Sequence, residues 1–146
     1  MQSLWPIPLD VQHCPNAQVI NPVLARAFTG MRAMQDSNKL ENFYSSSDDL
    51  ISRIELPEFS MLLKFIAGSV QNLSKHANKH AWPAGKLSMD LQFVGCWFQI
   101  QNGQAFHDVH THGNCSWSGV YYIQIDAAER RHQHPTLGEL NGVTRF

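Results

Sequence analysis

The spacing of apolar positions changes from helical in the first half of the chain to alternating in the second. Asn21 followed by Pro22 reads as a helix start, because asparagine caps free amides and proline at the first helical position loses no hydrogen bond. Val23, Leu24, Ala27, Phe28 and Met31 then mark one face of a helix running to about Gln35. After Leu56, Pro57 and Glu58 open a stronger helix, in which Phe59, Leu62, Leu63, Ile66, Val70 and Leu73 recur at helical spacing. That stripe is expected to face a sheet. Lys75, His76, Lys79 and His80 place positive or titratable groups at the far end, where the helix dipole favours them, so these histidines read as solvated helix-end groups.

Between and beyond the helices the pattern is extended. Residues 3–12 carry Pro6 and Pro8 and read as a short edge strand, since proline cannot donate to a ladder. Residues 36–49 are rich in serine and asparagine, a loop with a brief extended segment near Phe43 and Tyr44. Past the break at Trp82, Pro83 and Gly85, Leu87, Met89, Leu91 and Phe93 alternate with Ser88, Asp90, Gln92 and Val94. Gly95 marks a bulge, and Cys96, Phe98 and Ile100 resume the alternation up to a turn at Asn102 and Gly103. A last strand is expected over residues 117–125, with Trp117, Gly119, Tyr121, Ile123 and Ile125 on one face and Ser118, Val120, Tyr122 and Gln124 on the other. Helices first and strands second predict an α+β fold. It forms a single domain, residues 1–146, with a helical buttress over about 1–84 and a β-rich half over about 85–146.

Composition narrows the function classes. A chain of 146 residues with 43% apolar content is long enough to bury one core. Eleven basic against twelve acidic side chains leave no electrostatic footprint of a nucleic-acid binder. No window reaches the length of a membrane span, and residues 1–10 lack the charged and apolar regions of a signal peptide. Cys14, Cys96 and Cys115 are odd in number and unevenly spaced, which fits neither a disulfide framework nor a paired-cysteine zinc site. A soluble protein of the reducing cytoplasm is the expectation.

The chemistry concentrates in residues 103–125. His110 and His112 form a His-x-His pair, and an extended chain sends both imidazoles to one face. Neutral imidazole suits iron, zinc, copper or nickel, whereas calcium or magnesium would need an oxygen cluster that this stretch lacks. His107, three residues before His110, falls on the opposite face and reads as a residue supporting a ligand from behind or facing substrate. Asp108 reads either as an acceptor for the distal N–H of a ligating imidazole or as a surface-loop carboxylate. Three common settings of the pair fit poorly. Metallo-β-lactamase-like hydrolases need an aspartate and a histidine where this chain has Asn114 and Cys115. Amidohydrolase barrels need about 250 residues. Cupins need an acidic residue where Trp117 and Ser118 stand.

Gly103, His110, His112, Asn114 and the run Ser118, Gly119, Val120, Tyr121, Tyr122 instead resemble a family of iron(II)- and 2-oxoglutarate-dependent oxygenases found in bacteria and their phages. The resemblance implies a double-stranded β-helix (jelly-roll, cupin-like) holding iron at its mouth. It implies His110 and His112 as metal ligands and Tyr122, beside Ser118 on one face, as the contact to the 2-oxoglutarate carboxylate. Most of the wider prolyl-hydroxylase-like group has aspartate at the second ligand position, so His112 makes this site more positive. The implied activity hydroxylates a substrate C–H bond while 2-oxoglutarate and dioxygen yield succinate and carbon dioxide.

The family pattern also places a third ligand histidine on a later strand and, beyond it, an arginine for 2-oxoglutarate. Arg130, Arg131, His132, His134 and Arg145 follow the Tyr-Tyr run too closely and read as a solvated segment around Pro135 and Gly138. A closed jelly-roll needs eight strands, more than the alternating segments supply. The chain therefore reads as the N-terminal part of such a domain, with an open sheet edge and apolar surface that favour self-association into a homo-oligomer. Two rivals stay open: a non-catalytic metal-binding or interaction module on the same scaffold, and a cupin-type metal enzyme that does not use 2-oxoglutarate.

Overall fold

A computed structural model describes residues 7–34, 42–82, 88–101 and 110–125, together with Gln133 and Pro135. Its elements run α1 (Ala17–Ala33), β1 (Phe43–Ser45), α2 (Leu50–Arg53), α3 (Pro57–Ala77) and β2 (Gln99–Gln101). Helix and a small antiparallel sheet share one core, as a mixed α and β chain should.

Helix α1 begins at Ala17, about one turn before the Asn-Pro pair, and carries Pro22 inside it. Proline at an interior position leaves the Gln18 carbonyl without its usual amide partner and costs up to about 3 kcal/mol. Burial of Ile20, fully inaccessible to solvent, offsets a similar amount, since hiding such a side chain stabilises by about 1.5–3 kcal/mol. Gln18 is exposed, so water can serve its carbonyl. The inward face is Ile20, Leu24 and Phe28, with Ala17, Ala27 and Met31 packed at its margins. Val23, expected on that face, is half-buried beside it.

Helix α3 starts where expected. Leu56 is extended (φ −99°, ψ 134°), as a residue before proline prefers, and Pro57 and Glu58 occupy the first turn. Phe59 and Leu62 are buried, and Leu63 and Ile66 pack against the core. The stripe faces α1 rather than a sheet, because among the described residues the sheet has two short strands and α1 offers the larger apolar surface. Lys75 and His76 close the last turn, and the Asn78 side chain donates to the Ser74 carbonyl (2.9 Å).

Strands β1 and β2 pair antiparallel, with Phe43, Tyr44 and Ser45 opposite Gln101, Ile100 and Gln99. The pairing continues beyond the strands. The Ser46 amide donates to the Phe98 carbonyl (3.0 Å), the Cys96 amide to the Asp48 carbonyl (2.8 Å), and the Leu50 amide to the Cys96 carbonyl (3.1 Å). Phe98 is the junction of the two layers: its ring stacks on Phe28 of α1 (4.3 Å between centroids, 3° between planes) and lies tilted against Tyr44 (5.4 Å).

The extended expectations need correction at three places. Of the stretch 3–12, residues 3–6 lie outside the described residues; residues 7–12 form no strand, Ile7, Leu9 and Val11 all project into solvent, Pro8 withholds a donor, and no described strand adjoins them. Residues 88–95 alternate in sequence without joining a ladder, and Phe93 and Val94 are exposed. Residues 117–125 form no strand among the described residues; Tyr121 and Ile123 pack on the core and Ser118, Val120, Tyr122 and Gln124 are exposed as expected. Gly119 and Ile125, expected inward, are exposed too, since no described partner strand extends the buried face to them. Among the described residues the sheet is two-stranded, and no jelly-roll is seen. No helix there is long and apolar enough to cross a membrane.

Candidate metal centre

The His-x-His segment lies outside the helices and strands, just before a turn at Gly113 and Asn114. Its anchors are downstream: Tyr121 and Ile123 reach the core, and the Tyr121 hydroxyl donates to Asn21 Oδ1 of α1 at 2.7 Å. Asn21 therefore serves a different purpose from the cap expected of it, tying the motif segment to α1 across a hundred positions of sequence. Burial, with the Cys14 thiol beside it, pushes the Tyr121 hydroxyl up to about 12. It stays a neutral donor throughout the ordinary pH range.

His110 and His112 point their Nε2 atoms at each other, 3.1 Å apart, with the rings edge to face (centroids 4.8 Å, 76°). At that distance one ring nitrogen can donate to the other, the roles set by the tautomers. At a metal–nitrogen distance of ~2.1 Å, nitrogens so placed subtend about 95°, close to the cis angle of an octahedral site and below the tetrahedral angle of structural zinc. Trp97 lies tilted beside the His112 ring (centroids 5.6 Å, 37°). His112 is half-buried and His110 exposed.

Two imidazoles are not a complete site. Among the described residues no group of three histidine, cysteine or acidic side chains converges on one point. Cys115 Sγ faces the His112 carbonyl (3.9 Å), and burial holds the Cys96 thiol above its ordinary pKa, so it is a poor thiolate donor. All three cysteines are free.

Ser118 and Tyr122 share the solvent side of their segment, as the alternation requires, and Tyr122 retains about half of its exposure (49%). Neither hydroxyl makes a hydrogen bond among the described residues. His107, Asp108, Gly103, Arg130, Arg131, His132, His134 and Arg145 lie outside the described residues.

Two participants escaped the sequence reading. Trp97 stood between two inward-facing positions, Cys96 and Phe98, and nothing local marked it as a neighbour of His112. Asn21 looked like a cap because proline followed it.

No protein-family model matches the chain, and neither a curated protein nor a solved structure is similar to it.

Proposed function

We propose that this chain is an iron(II)- and 2-oxoglutarate-dependent dioxygenase of the hydroxylase type, or the metal-bearing part of one. The observation that carries the reading is the convergence of His110 and His112 Nε2 at 3.1 Å, at a spacing suited to cis positions around a first-row cation. The run from Ser118 to Tyr122, with its resemblance to that family, supports the choice of co-substrate. The scaffold we infer is a double-stranded β-helix to which residues 96–101 and 117–125 contribute.

Bound iron, 2-oxoglutarate and dioxygen would supply the oxidising power for C–H hydroxylation. The protein's own residues hold and orient. His110 and His112 would bind the metal through Nε2, with Trp97 beside the His112 ring. Tyr122, with Ser118 on the same side, offers a hydroxyl to a carboxylate of the co-substrate. The Tyr121–Asn21 hydrogen bond keeps the segment in place against α1. A third ligand must join the two imidazoles for tight binding.

Anaerobic titration with iron(II) or nickel(II), followed by an assay for succinate, tests the proposal. Metal binding lost in His110→Ala, with succinate formed only when both iron and 2-oxoglutarate are supplied, is the expected result. Metal binding without succinate would instead establish a non-catalytic metal-binding module, a reading favoured by the finding of only two converging ligands among the described residues. Turnover indifferent to 2-oxoglutarate would point to cupin-type chemistry.

A further inference from the structure

Beside Trp97 a shallow groove of ≈ 260 Å³ opens to solvent, walled by Ile51, Phe93 and Val94 with Asp48, Asp49 and Gly95 around them. Its three large apolar side chains are all exposed. The space is smaller than the roughly 300–1,000 Å³ typical of drug-sized ligands, and it suits one short alkyl chain.

The charges around the groove are unequal. Asp49 is satisfied by the Ser47 hydroxyl (2.6 Å) and by Arg53 (3.5 Å), and these partners hold its carboxyl below the ordinary range. Asp48 has no ion pair with any described residue. Its Oδ2 lies 3.9 Å from where a Cβ on Gly95 would sit, so the carboxylate borders the groove at the one residue that lacks a side chain. Among the described residues no basic side chain lines the groove. The same Gly95 position is 3.8 Å from the Trp97 ring, and that ring is 5.6 Å from His112. Trp97 thus lies near both Gly95, at one end of the groove, and His112.

We propose that this groove binds a small alkylammonium compound, with its chain against Ile51, Phe93 and Val94 and its cationic head at Asp48. Calling this ligand the substrate rests on the reading of His110 and His112 as the reacting centre; the binding itself does not.

The test is an NMR titration of the full chain, without added metal, using hexylammonium chloride and 1-hexanol as probes. Hexylammonium should shift the Gly95 amide and the Trp97 indole N–H and bind roughly two- to fivefold more tightly than hexanol at low salt. Asp48→Asn should erase that preference while leaving hexanol binding unchanged, and Phe93→Ser should weaken both probes. Equal affinity for the two probes, or a preference that survives Asp48→Asn, overturns the assignment of the cation to Asp48. Absence of shifts at Gly95 and Trp97 overturns the groove as a site. A separate nickel titration of wild type and His110→Ala reports on the metal pair, so either idea can fail without the other.

Discussion

Tyr44 is buried (4% exposed), and its hydroxyl has no hydrogen-bond partner among the described residues, an arrangement that costs about 1–3 kcal/mol relative to a satisfied group. Replacing it with phenylalanine keeps the ring against Phe98 and removes the orphaned oxygen. Tyr44→Phe should therefore leave stability unchanged or raise it by about 1 kcal/mol in urea unfolding. Tyr121 is the opposite case. Its raised pKa means that the unfolded chain loses the phenolic proton first as pH rises. The stability linked to it is fully present below pH 10 and is lost as pH climbs towards about 12. Tyr121→Phe should be less stable at neutral pH, having lost the bond to Asn21, and should show a flatter stability profile between those pH values. The sequence had marked Tyr121 for packing by alternation alone. Its polar partner lay a hundred positions away and was not legible.

At the scale of elements, α3 was readable almost residue by residue, because Pro57, Glu58 and a sustained apolar stripe agree with one another. Helix α1 was readable in kind but not in extent. Asn21 and Pro22 supplied a strong local start signal, and the burial of Ile20 against the rest of the core overrode it. Pro22→Ala restores an amide for the Gln18 carbonyl and removes the ring clash. It should stabilise the protein by about 1–2 kcal/mol, the gain being trimmed by the freer unfolded chain; thermal unfolding followed by circular dichroism would read it. Ile20→Ala should do the reverse and cost about 2–5 kcal/mol, which would establish that core burial holds the first turn of α1.

Across the whole molecule, Phe98 joins what the sequence had separated into a helical half and a β-rich half. Phe98→Ala removes the stack on Phe28 and the contact with Tyr44 together, and should cost about 3–5 kcal/mol. Exposed Ile7, Val11, Val120 and Ile125 leave apolar surface for association, so sedimentation velocity should show the average mass rising with concentration.

The sequence by itself determined the mixed α and β character, the position of α3, the pairing-competent stretch at Phe43 and Tyr44, the inward side of Tyr121 and Ile123, and the shared face of His110 and His112. Each depends on spacing along a few neighbouring residues, and periodicity carries that information. Only the tertiary structure decided that α3 packs on α1, that Asn21 holds Tyr121, that Trp97 lies beside His112, and that residues 7–12 and 88–95 find no ladder partner among the described residues. A strand needs a neighbour to take its backbone hydrogen bonds, and a side chain needs a partner at the right distance. Both depend on how distant segments meet, which no local pattern records.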